Sequence, residues 1–184
     1  MKQMKIPNVL HEIFGERQSL GSILAILLFG GVFTTAIYHM YPEMTGELPL
    51  WRSALALLLV FDIGCGCIAN FTAGTSNYYA KRPGNRLIFL SVHVHPLLVA
   101  LLLGTSLGHA AAVWAYTICA AFLLNVLIGR PSQRFAAGLL LAIGLGCSIP
   151  LLSGIEPYML AVYLLFMLKI LFGFAVDHYN FNAT

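Results

Sequence analysis

The sequence predicts an all-α bundle of six transmembrane helices, and composition, segment length and charge asymmetry carry that expectation together. Apolar residues fill 59% of the 184 positions and charged residues only 9%, with a mean hydropathy of +0.85. Soluble domains carry about 25% charged residues, because that charge keeps their surface hydrated. A chain this poor in charge expects lipid around it, and at this length it makes a single domain, residues 1–184.

Apolar stretches near 19–41, 49–71, 86–108, 110–129, 135–153 and 156–178 have the roughly twenty residues needed to cross a hydrocarbon core of about 30 Å. Tyr41-Pro42 through Pro49 closes the first hairpin, and Thr72 through Asn85 reads as the longest and most polar loop. Gly104 to His109, Gly129-Arg130-Pro131-Ser132, and Ser153-Gly154 before Pro157 mark the later turns. No charge separates the third and fourth stretches, so a five-span reading stays open.

Basic residues choose the orientation, because Lys and Arg are retained on the cytoplasmic side of a membrane. With the N-terminus inside, Lys2, Lys5, Arg17, Lys81, Arg82, Arg86, Arg130 and Arg134 collect on that face, and only Arg52 falls outside. Six spans then place both termini in the cytoplasm, and a bacterial plasma membrane is the expected location. The tripeptides Asn70-Phe71-Thr72 and Asn182-Ala183-Thr184 resemble glycosylation acceptors but fall on the same cytoplasmic side.

Ahead of the first span, Ile6, Val9, Leu10, Ile13 and Phe14 recur at helical spacing among Lys2, Lys5, Glu12 and Glu16. That alternation predicts a short helix lying on the membrane surface. The four cysteines, Cys65, Cys67, Cys119 and Cys147, sit in apolar runs without a CxxC pair, as buried free thiols do. A net charge of +3, scattered along the chain, excludes nucleic acid as an expected partner. The expected partners are the lipid bilayer and either a second copy or another membrane subunit.

Polar side chains inside the spans are the informative positions, since each helix satisfies its own backbone. Asp62 lies near the middle of the second span and Lys169 in the inner half of the sixth. An ionisable group at such depth costs about 3 kcal/mol, so the two are expected to pair. The stripe of the second helix that carries Asp62 also carries Gly66, Ala69 and Ala73, and the first helix offers Ser22, Gly30, Gly31, Thr34 and Thr35. Small residues in rows let helices approach closely.

The densest polar stretch runs from Asn70 to Pro96. Together with Asp177 at the same level, it places Asn70, Asn77, Tyr78, Arg86 and His93 where they could form a cytoplasm-facing site. In a regular helix His95 would point about 200° away from His93, although Pro96 frees the carbonyl of Val92 and can kink the helix there. His93, His95, His178 and Asp177 are the candidate metal ligands, because imidazole and carboxylate suit zinc, iron or nickel. No HxxxH or HExxH spacing supports them, so no resident metal or other cofactor is assigned. His95 and His109 are fourteen residues apart on what reads as one helix, and His39 could match His109 at the outer side, but His178 lies well below His95 at the inner side. That mismatch argues against haem.

Three functions fit these residues. The first is binding or transport of a small solute or ion at the polar site, with Asp62 and Lys169 setting the charge along the path. The second is an enzyme acting on a lipid or amphiphile at the cytoplasmic interface. In it His93 would be the general base or a metal ligand, Arg86 would hold an anionic head and Asp177 would orient or ligate. The third is a non-catalytic subunit of a larger membrane complex. The architecture by itself does not choose among them.

Overall fold

A computed structural model describes residues 3–151 and 154–179. Lys2, Ser153 and the tripeptide Asn182-Ala183-Thr184 lie outside the described residues. Among the described residues six helices are long and apolar enough to span a membrane: Leu20–Met40, Leu50–Ala69, Pro83–Leu103, Leu107–Val126, Ser132–Leu151 and Pro157–Phe174. The chain is a multi-pass, all-α membrane bundle.

Local chemistry starts and stops these helices. Helix α2 (Leu20–Met40) begins at Ser19, whose hydroxyl accepts the Ser22 N–H. After a short turn of helix, α3 (Glu43–Gly46), helix α4 (Leu50–Ala69) crosses back. The stretch expected as a loop forms helix α5 (Ala73–Ala80) instead, because Thr72 caps it by accepting the Thr75 N–H. Helix α6 (Pro83–Val92) opens on Pro83, where the missing N–H costs nothing.

Helix α7 (His95–Leu103) follows and ends on Gly104, whose φ of 71° is the left-handed conformation that glycine tolerates. Ser106 then caps helix α8 (Leu107–Val126). This stop and cap separate the third span from the fourth and remove the five-span alternative. They also place His95 and His109 on different helices, not on one. Helices α9 (Ser132–Leu151) and α10 (Pro157–Met167) follow, and the last span continues as a wide π-helical turn, Leu168–Phe174, in which Ala175 N–H reaches Ile170 O at 2.8 Å.

The last span is the axis of the bundle. Of its apolar window 61% is buried, against 17% for α2 and for α9. Helices α4, α7, α8 and α9 pack around α10 and its π turn, whereas α2 lies against α4. Gly30 and Gly64 permit that last contact, since a Cβ on Gly64 would stand 3.1 Å from Gly30 Cα. Gly31 faces open space and takes no part.

The N-terminal segment departs from the expected surface helix. Strand β1 (Gln3–Lys5) pairs antiparallel with β2 (Arg17–Ser19), and between them only α1 (His11–Phe14) is α-helical. Pro7 precedes the first turn, and Gly15, at φ 74°, ends the helix, so the periodic residues cannot form one continuous face. Ile6 is buried while Val9 is 85% exposed.

Tyr79 Oη donates to Glu12 O at 3.2 Å and Thr75 Oγ1 to Ile13 O at 2.9 Å, which docks α1 on α5. Gln18 reaches Thr72, and Tyr179 reaches Phe71 O. The segment before α2 and the residues after the last span, as far as Tyr179, therefore meet at the end of α4, on the side that also holds Lys81, Arg82 and Arg134. Arg52 occupies the opposite side, donating at 2.8 Å to Leu101 O and Leu102 O.

Candidate functional site

A break in the third span creates the site. Pro96 has no N–H to offer Val92 O, and Val94 N–H takes that carbonyl at 2.9 Å instead. Side chains satisfy two further backbone carbonyls. His93 Nδ1 lies 2.6 Å from Phe89 O, and Trp114 Nε1 donates to His93 O at 3.1 Å. With these three carbonyls paired, part of the usual cost of unmet backbone groups at the interruption is offset. Beyond it α7 packs along α4, whereas α6 leans on α5 and α8. The two halves of the span thus diverge, and a cavity of about 250 Å³ opens beside α4.

Three ionisable groups from three elements meet on one oxygen at the floor of this cavity. Lys169 Nζ lies 2.8 Å from Asp62 Oδ2, and His95 Nε2 lies 3.1 Å from the same atom. The Lys169 side chain is only 3% exposed, while that of Asp62 is 49% exposed and lines the cavity. Gly66, one turn beyond Asp62, makes the room, because a Cβ there would run into the Lys169 side chain. Asn70 Nδ2 donates to Lys169 O at 3.2 Å and ties the end of α4 to the π turn. The row of small residues expected as a helix seam is therefore in part a cavity wall, formed by Gly66 and Ala69.

The hydrogen bonds assign the imidazole protons. A carbonyl only accepts, so His93 carries its proton on Nδ1 and keeps a lone pair on Nε2. His95 faces a carboxylate through Nε2, which therefore carries the proton, and its Nδ1 is buried without a hydrogen-bond partner. Both rings line the cavity with centroids 4.9 Å apart. The opposite orientation expected for a regular helix fails because the helix is interrupted between them.

The remaining candidate residues are distributed among other places. Asn77 and Tyr78 line a separate surface depression with Glu16 and Arg82, and the Arg82 guanidinium sits 4.2 Å over the Tyr78 ring. Arg86 Nε donates to Asn125 Oδ1 at 2.9 Å and its Nη2 to Ala175 O at 2.6 Å. Gln133 donates to the same Ala175 carbonyl and accepts the Asp177 N–H. Arg86 and Asp177 thus belong to a clamp that closes the end of the last span, and neither lines the cavity.

A stack of His93 on Phe89, Phe89 on Phe174 and Phe174 under Arg86 separates that clamp from the cavity. His178 turns its Nε2 to Phe172 O at 2.8 Å. The site proposed from Asn70, Asn77, Tyr78, Arg86, His93 and Asp177 is therefore not one site, since only Asn70 and His93 line this cavity. Among the described residues no three His, Cys, Asp or Glu side chains gather as a metal group.

Sequence reasoning missed the role of His95 as a second partner of Asp62, and the parts of Tyr79, Asn85 and Cys65 in the wall. The His-Val-His-Pro run held the only available signal, a proline placed to break the helix under the histidines.

Outside the spans, the Arg82 guanidinium at 2.6 Å from Glu16 holds the Glu16 carboxyl below its ordinary value, first by hydrogen bonding and then by charge. Burial pushes the Tyr79 hydroxyl up, so it stays a proton donor to Glu12 O.

A second cavity, also about 250 Å³, opens at the opposite end beside Thr105, His109, Glu156 and Tyr163. Tyr163 and Lys169 are six residues apart on the last span, about 9 Å along a helix. Phe166 and Met167, between them on the last span, and Val99 and Ala100 on α7 are buried. Comparison with protein-family models, curated proteins and solved structures finds no match to this chain.

Proposed function

We propose that this chain binds a small solute in the cavity at its basic end and carries it across the membrane, with the basic end facing the cytoplasm of a bacterial cell. The observation that carries this reading is the sharing of one Asp62 oxygen by Lys169 and His95 at the floor of an open cavity. An ion pair that served packing alone would be enclosed by side chains, whereas this carboxylate is half open. A ligand group, or a proton, reaching Asp62 competes directly with Lys169 and His95, so occupancy alters the contact between α4, α7 and the last span. The presence of cavities toward both ends of the bundle supports transport over catalysis, since a carrier needs access from each side in turn. The separation of His93 from Arg86 and Asp177 also leaves the enzymatic reading without its proposed base-and-clamp constellation.

The test is proton movement driven by solutes in proteoliposomes, read with a trapped pH dye across a panel of small polar and amphiphilic compounds. Solute-dependent movement that disappears in His95→Gln supports the reading. A correctly folded protein that neither moves protons nor gains thermal stability with any member of the panel would overturn it.

A further inference from the structure

The cavity has one edge that faces lipid. Ile88 and Val92, one turn apart on α6, both line it, yet they are 63% and 58% exposed on the outside of the bundle. They belong to the spanning segment Pro83–Leu103, so what they face outside is hydrocarbon. The opening lies where α6 leans away from α4 below the break at His93.

Asp62 is seven residues from the end of α4, so the polar floor sits about 10 Å into the membrane from the basic end. A phospholipid headgroup remains at the interface and does not reach that depth. Lys169 and His95 are both engaged by the Asp62 carboxylate and Glu12 also lines the cavity, so an anion would meet two carboxylates there. Hydrogen-bonding capacity is present instead, in the His93 Nε2 lone pair, the Lys169 ammonium and the Asp62 carboxylate. A volume of about 250 Å³ holds a small head and a few methylenes, and a longer chain must leave through the gap beside Ile88 and Val92.

We infer that the ligand is a neutral single-chain amphiphile with a hydroxyl or carbonyl head, entering sideways from the bilayer between α4 and α6. This rests on reading the cavity as a ligand site and specifies the class of ligand and its route. The head meets Asp62, His93 and Lys169, and the chain lies across Ile88 and Val92 into the lipid.

The test uses the full chain in nanodiscs with two photoreactive alcohols carrying a diazirine near the hydroxyl, one hexadecyl and one water-soluble butyl, with labelled residues mapped by mass spectrometry. The expected result is labelling of the floor at Asp62, Cys65 or His93 by the hexadecyl probe, abolished by a large excess of unlabelled hexadecanol. Val92→Trp, a substitution at an exposed position, should lower that labelling about fivefold or more, and Ile88→Trp should do the same. Labelling of lipid-facing Leu28 on α2 should remain unchanged. Floor labelling indifferent to both tryptophans would overturn lateral entry. Floor labelling by the butyl probe alone would overturn the amphiphile while leaving small-solute binding intact. If neither probe labels the floor, the amphiphile reading falls, and small-solute binding is decided by the proteoliposome panel.

Discussion

Replacing Asp62 and replacing Lys169 are expected to have unequal effects on stability, although each removes half of one ion pair. Removing one partner of a buried pair costs about 3–5 kcal/mol when the charge left behind has no other solvation. In Asp62→Asn that charge is Lys169, 3% exposed, whose other acceptor is the Asp62 carbonyl at 3.5 Å. With neutral acceptors still present, the cost sits at the lower end, about 3 kcal/mol. In Lys169→Met the stranded charge is Asp62, which is half open to the cavity and keeps His95 Nε2 at 3.1 Å, so the cost falls to about 1 kcal/mol.

The double variant leaves no buried charge in the pair and fills the lysine's space, so it should return to within about 1 kcal/mol of the native protein. The two substitutions are thus coupled by about 3 kcal/mol rather than additive. Equilibrium unfolding in mixed detergent micelles, followed by far-UV circular dichroism, reads all four proteins. A Lys169→Met variant as damaged as Asp62→Asn, or a double variant at the sum of the singles, would refute the unequal burial on which this rests.

Three further outcomes are expected. Trp114→Phe removes the donor to His93 O at the helix break and should cost about 1–2 kcal/mol in the same unfolding experiment, with larger losses at residues 89–98 in hydrogen exchange. Gly15→Ala places a Cβ against the Gly74 backbone at a positive φ, so hydrogen exchange should rise across residues 3–19 while the spanning helices stay protected. The Glu16–Arg82 pair holds a carboxyl below its ordinary value, so its contribution is complete above about pH 4.3 and is lost as the pH falls through the depressed value. A spin label at exposed Val9 should therefore keep one mobility from pH 8 to 5 and loosen only in stronger acid. Loosening near neutrality would show that a group other than Glu16 governs the pH response of this segment.

The number of spans and the stop residues were readable in the chain itself because membrane helices are local objects. Twenty apolar residues, a proline at a helix start or a glycine after its end act through neighbours in sequence, and Gly104 and Pro157 do what their chemistry requires, whereas Pro83, read as part of a loop, opens a helix. Asp62 and Lys169 were also legible as partners, since two charges stranded at similar depth have few other options.

The residues that failed are those whose placement depends on geometry across helices. Arg86 and Asp177 share a level with His93, but the Phe89–Phe174 stack separates them from the cavity, and no spacing along the chain records that stack. Asn77 and Tyr78 were assigned to a loop, and a helix capped by Thr72 turned them outward. His95 was set aside by helical periodicity, which holds only while the helix continues.

By itself the sequence determined a lipid-embedded bundle, its spans and its costly buried charges, because composition and transfer energy act residue by residue. Only the tertiary structure decided that the third span breaks at His93, that two histidines share one cavity, and that Lys169 and His95 converge on a single carboxylate oxygen. Those outcomes depend on which carbonyls find donors from other helices, and that competition is settled only when the helices pack.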